Sequence, residues 1–399
     1  MQFSEFDLDQ RLLNNVRTMG FTQPTPIQEA TIPAAMKDQD VLGSAETGTG
    51  KTAAYLLPTI QWLLEGRDSR SPRALVLVPT RELALQVAEH GEELARGIRL
   101  KFVTVYGGVD LGSQIKACQR GVDVVIATPG RLLDLLRRRQ VHFDRLETLV
   151  LDEADRMLDI GFLPDIRRIV RELPTDRQTM LFSATIAPVY HLAREVTVDA
   201  IRVEVAKVTT PEAIEQVFYP VLEHRKTAVL EHILSDEKAE SVLVFTKTKT
   251  RADLVAHDLK RAGLKADRIH GDRAQKERIR ALESFRHGRT RILVATDVAA
   301  RGIDITGISH VVNYDLPNKS DDYVHRIGRT GRADAPGIAW SLVSPMDEVM
   351  AERIERAMGG KVERREPDGV DTGRPVRKEE PAKKKPGGWN RQPSRRRRR

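Results

Sequence analysis

Cysteine is nearly absent, with Cys118 the only one in 399 residues. A single thiol excludes an intramolecular disulfide and any zinc site built on cysteine. No apolar run approaches the length that a bilayer demands. The start, Met1-Gln2-Phe3-Ser4-Glu5-Phe6-Asp7, is acidic and has neither the basic region nor the apolar core of a secretory leader. His142, His224, His257 and His270 fall at no metal-ligand spacing. No tandem repeat is visible, and nothing points to covalent catalysis. A cytoplasmic protein with no membrane partner fits these absences best.

What is present is unevenly charged. From Arg374 to Arg399, twelve Lys or Arg face only Glu379 and Glu380, a surplus of +10. The net charge is +8, so the rest of the chain carries 8 − 10 = −2. The basic balance belongs to the tail, and any case for nucleic acid has to rest on sites. The length suits two domains rather than one.

Short apolar runs alternate with longer helical patterns. Ala74-Leu75-Val76-Leu77-Val78, Val122 to Ala127, Leu149-Val150-Leu151, Val242 to Phe245, Ile292 to Ala295 and His310-Val311-Val312 are apolar enough to be strands buried on both faces. With helices between them, they predict an α/β chain with parallel sheets. Pro211 and its polar neighbours read as a linker. The expected division is a first domain over 1–206, a linker over 207–212 and a second domain over 213–360. Beyond Gly360 the apolar pattern gives way to Pro, Gly, Lys and Arg, so 361–399 is expected to be a disordered basic tail.

Ala45-Glu46-Thr47-Gly48-Thr49-Gly50-Lys51-Thr52 follows Val41-Leu42 and precedes the helical run Ala53 to Leu57. Strand, glycine loop and helix N-terminus are the context of a P-loop. Its glycines let backbone N–H groups approach phosphate, Lys51 supplies a cation, and the Thr52 hydroxyl can hold Mg²⁺. Ala45 stands where the strict pattern has glycine. Asp152-Glu153-Ala154-Asp155 follows an apolar strand. Taken alone, it reads better as a helix cap with a solvated face. Beside a P-loop, Asp152 becomes a metal carboxylate and Glu153 the group that positions or activates the attacking water. Ser183-Ala184-Thr185 is weaker, since Ser and Thr at strand ends commonly cap helices.

These residues resemble the DEAD-box RNA helicases. Phe21-Thr22-Gln23-Pro24-Thr25-Pro26-Ile27-Gln28 is similar to the adenine-recognition motif of that family, and Ala45 matches its own form of the P-loop. Pro79-Thr80-Arg81-Glu82-Leu83-Ala84, Gly107-Gly108 and Thr128-Pro129-Gly130-Arg131 resemble its first-domain RNA contacts. Val244-Phe245-Thr246, Gln275 with Arg278, Ala295-Thr296-Asp297 to Asp304, and His325-Arg326-Ile327-Gly328-Arg329-Thr330-Gly331-Arg332 match the second domain. The resemblance spans roughly residues 3 to 345, in the family's order.

It implies two RecA-like domains in tandem and an RNA-dependent ATPase that unwinds RNA locally or remodels RNA–protein complexes. ATP would lie on Phe21, Gln28, Glu46, Thr47, Gly48, Thr49, Gly50, Lys51, Thr52 and Asp304, with Asp304 at the ribose and Mg²⁺ on Thr52 and Asp152. A glutamine amide can pair with N6 and N7 of adenine, so Gln28 would select ATP while Phe21 stacks on the base. Lys51, Asp152 and Glu153 would be catalytic, together with Arg329 and Arg332 as arginine fingers. Ser183, Thr185 and His325 would couple nucleotide to RNA. RNA would bind mainly through its backbone, on Pro79, Thr80, Arg81, Gly108, Thr128, Arg131, Thr246, Gln275, Arg278 and Thr296.

The tail would add sequence-blind RNA binding, with Trp389 read equally as a base-stacking residue or as an incidental exposed tryptophan, and the chain would act as a monomer. Three other readings differ in observable ways. A non-enzymatic RNA clamp would not separate strands. A small-molecule kinase would hydrolyse ATP without regard to RNA and would leave residues 213–345 unexplained. A DNA helicase would be activated by DNA.

Overall fold

The computed structural model describes residues 1–45, 48–64, 71–205, 214–235, 239–300, 308–331, 337–367 and 369–373. Among them are fourteen strands in two sheets. The first sheet holds β1 (Val41–Ser44), β2 (Ala74–Leu77), β3 (Phe102–Val105), β4 (Val124–Ala127), β5 (Thr148–Leu151), β6 (Gln178–Ser183) and β7 (Ile201–Glu204). The second holds β8 (Ile214–Pro220), β9 (Val242–Thr246), β10 (Ala266–Ile269), β11 (Ile292–Thr296), β12 (His310–Asn313), β13 (Gly337–Val343) and β14 (Glu363–Arg364). Every strand pairing is parallel.

The continuous apolar runs are explained by two-sided burial. Ala74 and Val76 of β2 enter one core layer, while Leu75 and Leu77 enter the layer on the opposite face. Val242 and Val244 of β9 divide from Leu243 and Phe245 in the same way. Side chains alternate across a strand, so a central strand covered by helices on both faces needs apolar residues at every position. Trp340 is buried in the second domain's core, and Trp62 packs at the end of its helix with Nε1 donating to Ala35 O at 3.2 Å.

The strand order of the first sheet is β3-β4-β2-β5-β6-β1-β7, and that of the second is β10-β11-β9-β12-β13-β8-β14. Adding seven to each strand of the first yields the second, so the two domains share one topology. In a parallel sheet the strand C-termini share one edge, and ligands bind there. In the first domain this order sets the loops after β5, β6 and β1 side by side, which are the Asp152 turn, Ser183 and the P-loop. It sets the loops after β3, β4 and β2 beside one another further along, at Gly108, Thr128 and Thr80. One edge thus carries two neighbouring clusters.

The second domain reproduces the frame without the glycine-rich loop. Lys226 begins the helix after β8, as Lys51 begins the helix after β1, and Asp315 follows β12 as Asp152 follows β5. No glycine loosens the intervening turn, Val221-Leu222-Glu223-His224-Arg225. Lys226 is 1% exposed, with Nζ 3.0 Å from Glu223, 3.1 Å from Asp347 and 3.7 Å from Asp315. Burial works against its charge, but Asp347, Glu223 and Asp315 together hold the ammonium protonated.

The expected linker, 207–212, and the segment 374–399 lie outside the described residues. The expected tail start at 361 needs correction. Glu363–Arg364 pairs with β8, Leu222 N–H donates to Thr372 O at 3.0 Å, and Arg225 meets Asp371 at 3.0 Å. The chain therefore stays on the second domain to residue 373. A two-residue edge strand with exposed side chains has no apolar pattern to announce it. No described helix is long and apolar enough to cross a membrane.

Candidate nucleotide and RNA sites

Gly48 and Gly50 of the P-loop have φ of 87° and 92°, in the left-handed region that glycine enters without strain. At Gly50 a Cβ would also land on the Gln28 amide nitrogen. Gln28, in the first turn of the helix Pro26–Ala35, is buried. Its Nε2 donates to Gly50 O at 3.1 Å, and its Oε1 accepts from Thr25 N–H at 3.0 Å. The amide is thus held on the P-loop backbone, with one N–H and one lone pair left over. The Phe21 ring packs on Phe3 at 6.4 Å and His90 at 5.9 Å. Glu46, Thr47, Asp304 and Arg332 lie outside the described residues.

Lys51, 6% exposed, opens the helix Lys51–Leu64. The carboxylate of Asp152 is held at both oxygens. Oδ1 accepts from Glu153 N–H at 2.9 Å, and Oδ2 accepts from the Tyr55 hydroxyl at 3.1 Å. Burial pushes the Asp152 pKa up to about 6, against the pull of the Lys51 charge. Tyr55 is fully buried, which together with the Asp152 charge drives its pKa well above the ordinary phenol value and keeps it a donor. Glu153 sits at φ 51° as the N-cap of Ala154–Ile160, a left-handed conformation that costs a non-glycine residue about 1–3 kcal/mol. Burial works to raise its pKa, but Arg156 (Nη1 to Oε2, 3.2 Å), Lys51 and Arg329 together hold it below the usual range.

Arg329 comes from the second domain. A cavity of 140 Å³ is lined from one side by Lys51, Glu153, Ala184 and Thr185, and from the other by His325 and Arg329. The Asp152 turn and the Ser183 strand end are linked, because Ala184 N–H donates to Asp155 Oδ2 at 3.2 Å. Ser183 is fully buried and its hydroxyl donates to Thr185 O at 2.6 Å, which closes the turn on itself. Lys51, Asp152, Glu153, Ser183, Thr185, His325 and Arg329 therefore gather around one cleft.

The other cluster is more self-contained. Thr80 caps the helix Arg81–Leu94, accepting from Leu83 N–H at 3.3 Å. The Arg81 guanidinium lies against Gly108, at φ 85°, in the space where a Cβ would sit. Arg131 donates to Val109 O at 3.3 Å and Gln114 Oε1 at 3.1 Å, so it braces the Gly107–Gly108 loop. Pro79 and Thr128 are buried. Thr246 is fully buried with its hydroxyl turned to Thr248 O and Ala295 O, while Thr296 is half-buried. Gln275 and Arg278 reach across to the first domain. Gln275 Nε2 donates to Glu82 Oε1 at 3.1 Å, and Arg278 Nη2 lies 2.8 Å from Glu82 Oε2. Glu82 and Arg278 are both nearly buried, so this is a desolvated, charge-assisted clasp.

Sequence reasoning passed over three residues. Tyr55 looks like a core aromatic, and its signal is its place three residues after Thr52 on one helix face. Glu82 sits inside a quoted motif but earned no role, because its partners are nearly 200 positions away in sequence. Arg326, 2% exposed, clamps Asp297 through Nε at 2.6 Å and Nη2 at 2.7 Å, donates to Asn313 and to Asp315 O, and lies over the Phe245 ring. Cys118 is buried, which pushes its thiol up to about 11.

Two parallel-sheet domains of one topology, with a P-loop on the first and an arginine supplied by the second, define a two-domain P-loop nucleoside triphosphatase. The DEAD/DEAH box helicase family matches residues 25–192, and the helicase conserved C-terminal domain matches 225–334. The chain is 45% identical to the ATP-dependent RNA helicase CshA of Listeria monocytogenes over 87% of its own length and 66% of that protein. It is 43% identical to the ATP-dependent RNA helicase RhlB of Pseudomonas syringae pv. tomato over 90% of its own length and 94% of that protein. S. cerevisiae Dbp5 bound to RNA and ADP BeF3 superimposes with a TM-score of 0.83 at 34% identity, covering 92% of this chain and 96% of that one. A Dbp5 variant bound to Nup159, Gle1, IP6 and ADP reaches only 0.63 at 32% identity, covering 90% and 96%. The chain belongs to the DEAD-box family of ATP-dependent RNA helicases.

The Asp152 environment makes a prediction about stability. A carboxyl whose folded pKa lies above its unfolded value destabilises the ionised fold; the cost is fully present above about pH 6 and disappears as pH falls below the ordinary value. Asp152→Asn removes that charge, and its amide can still donate to Tyr55 Oη and accept from Glu153 N–H. The nucleotide-free variant should be more stable at pH 7.5 by about 1–2 kcal/mol, and the gain should shrink toward pH 5. Thermal unfolding at the two pH values measures this; an equal or lower Tm at pH 7.5 would show that Asp152 carries no such cost.

Proposed function

We propose that ATP and RNA stabilise the same closed arrangement of the two domains, and that hydrolysis of ATP releases it. The observation that carries this reading is the one cavity lined by Lys51 and Glu153 of the first domain and by His325 and Arg329 of the second. The catalytic cluster is complete only when the second domain is docked. In this reading the P-loop and Lys51 hold the phosphates, Gln28 and Phe21 hold adenine, and Glu153 orients the attacking water. Arg329, with Arg332, offsets the charge that develops in transfer.

Thr52 and Asp152 suit Mg²⁺. Both offer hard oxygen donors, the buried Asp152 charge would be stabilised by a cation, and Mg²⁺ commonly takes one or two protein ligands and completes its shell with phosphates and water. When bound, it supplies charge neutralisation at the phosphates. Ser183, Thr185 and His325 line or brace the same cleft and would report its occupancy to the RNA side.

RNA would lie along the Thr80, Gly108 and Thr128 edge and continue over Thr246 and Thr296, held mainly through its backbone. Arg131 acts here through the Gly107–Gly108 loop, and Gln275 and Arg278 act through Glu82. A preference for RNA over DNA would come from 2′-hydroxyl contacts. Closure would bend one strand and open a few base pairs, remodelling duplexes or RNA–protein complexes locally. The two sites share one open–closed equilibrium, so each ligand tightens the other.

Arg329→Ala tests the shared cleft. ATP binding without RNA should change less than twofold to threefold, while RNA-stimulated turnover falls by about 10³-fold or more, the usual contribution of such an arginine. Turnover at the wild-type rate under saturating ATP and RNA would remove Arg329 from the reaction. The +10 segment 374–399 is proposed as an RNA tether, because the remaining chain is slightly acidic. Its deletion should raise the RNA concentration for half-maximal ATPase and flatten the salt dependence with little change in maximal rate. Superimposable ATPase titrations at two salt concentrations would rule the tether out.

A further inference from the structure

The helix that opens with the P-loop lysine carries a second polar group into the phosphate site. Tyr55 lies three residues after Thr52, so the two share a helix face. Its ring is fixed: Tyr55 is fully buried, stacks at a tilt on Phe182 with centroids 5.5 Å apart, and Thr59 Oγ1 donates to its carbonyl at 2.7 Å. The hydroxyl donates to Asp152 Oδ2 at 3.1 Å. One hydroxyl therefore braces the carboxylate assigned to Mg²⁺ from the helix that carries Thr52. A phenol carries a single donor, and here it is spent on that carboxylate.

We infer that Tyr55 is a positioning residue for the metal site, holding the Asp152 carboxylate in the orientation that receives Mg²⁺ with the nucleotide. This rests on the assignment of Thr52 and Asp152 proposed above. Glu153 N–H fixes one oxygen of Asp152, and Tyr55 fixes the other. With both held, the carboxylate cannot rotate, and its remaining lone pairs point in set directions. Without the phenol the carboxylate would be pinned at one oxygen only. Partners of this kind, one step removed from the metal, commonly account for about 10–100-fold in metal affinity.

Tyr55→Phe keeps the ring and its contact with Phe182, so the variant should fold. The readout is nucleotide affinity rather than turnover. A fluorescent ADP is titrated into the full-length protein in EDTA and across a Mg²⁺ series, for wild type, Tyr55→Phe, Asp152→Asn and the double variant. Affinity in EDTA should agree within about twofold between wild type and Tyr55→Phe. The Mg²⁺ concentration for half-maximal tightening should rise about tenfold in Tyr55→Phe. In the Asp152→Asn background the same change should add little, because the group that Tyr55 orients is already gone. If wild type shows no Mg²⁺ dependence, the metal assignment itself fails. If wild type depends on Mg²⁺ and Tyr55→Phe follows the same curve, the metal assignment stands and the role given to Tyr55 is wrong. An equal loss in EDTA and in Mg²⁺ would also overturn it, because the tyrosine would then shape the nucleotide pocket in general.

Discussion

Two carboxylates buried side by side, Asp152 and Glu153, set the conditions that the rest of the cleft has to meet. Both are less than a tenth exposed, and both face the desolvation cost of a charge out of water. The first domain offsets part of that cost with Lys51 and Arg156, and the remaining cation, Arg329, belongs to the other domain. The two carboxylates respond differently. Glu153, with three cations acting on it, is held ionised, whereas Asp152 is pushed up to about 6. A neighbouring pair with separated protonation behaviour can divide its labour, with one group kept as an anion and the other ready for a cation.

Docking of the second domain is secured at a distance from this pair. Glu82 takes hydrogen bonds from Gln275 and Arg278 on the Thr80 half of the sheet edge, while Arg329 approaches on the P-loop half. Two contacts at separate points of one edge define the relative placement of the domains better than either could alone. The shared strand order lets the two domains be compared position by position. The comparison also shows why the P-loop is not repeated. In the second domain Lys226 occupies the place of Lys51, but Glu223, Asp315 and Asp347 already neutralise it.

Much of this was legible in the sequence. The buried strands announced themselves as unbroken apolar runs, since a strand covered on both faces has no polar side to interrupt the pattern. The P-loop was legible because its glycines and Lys51 follow a strand and start a helix. What stayed hidden depends on partners far away in the chain. Glu82 reads as one more helix-surface acid until Gln275 and Arg278 are opposite it. Arg326 reads as one arginine in a basic motif until Asp297 and Asn313 surround it. The direction of a hydroxyl is equally silent: Thr246 is turned inward, and Tyr55 carries its polar atom onto Asp152 from a position that looks like core. The strand Glu363–Arg364 was missed because edge pairing uses backbone groups, which composition does not display.

The claim that nucleotide and RNA share one closed arrangement is tested most directly by the distance between the domains. One dye on an exposed site of each domain, placed in a Cys118→Ser background, allows energy transfer to be followed in single molecules. The closed, high-transfer population should be minor with a non-hydrolysable ATP analogue alone or RNA alone, and should dominate when both are present. Glu82→Ala and Arg329→Ala should each reduce it under those conditions. A closed population that is the same with and without the two ligands, or that RNA alone saturates, would contradict the account.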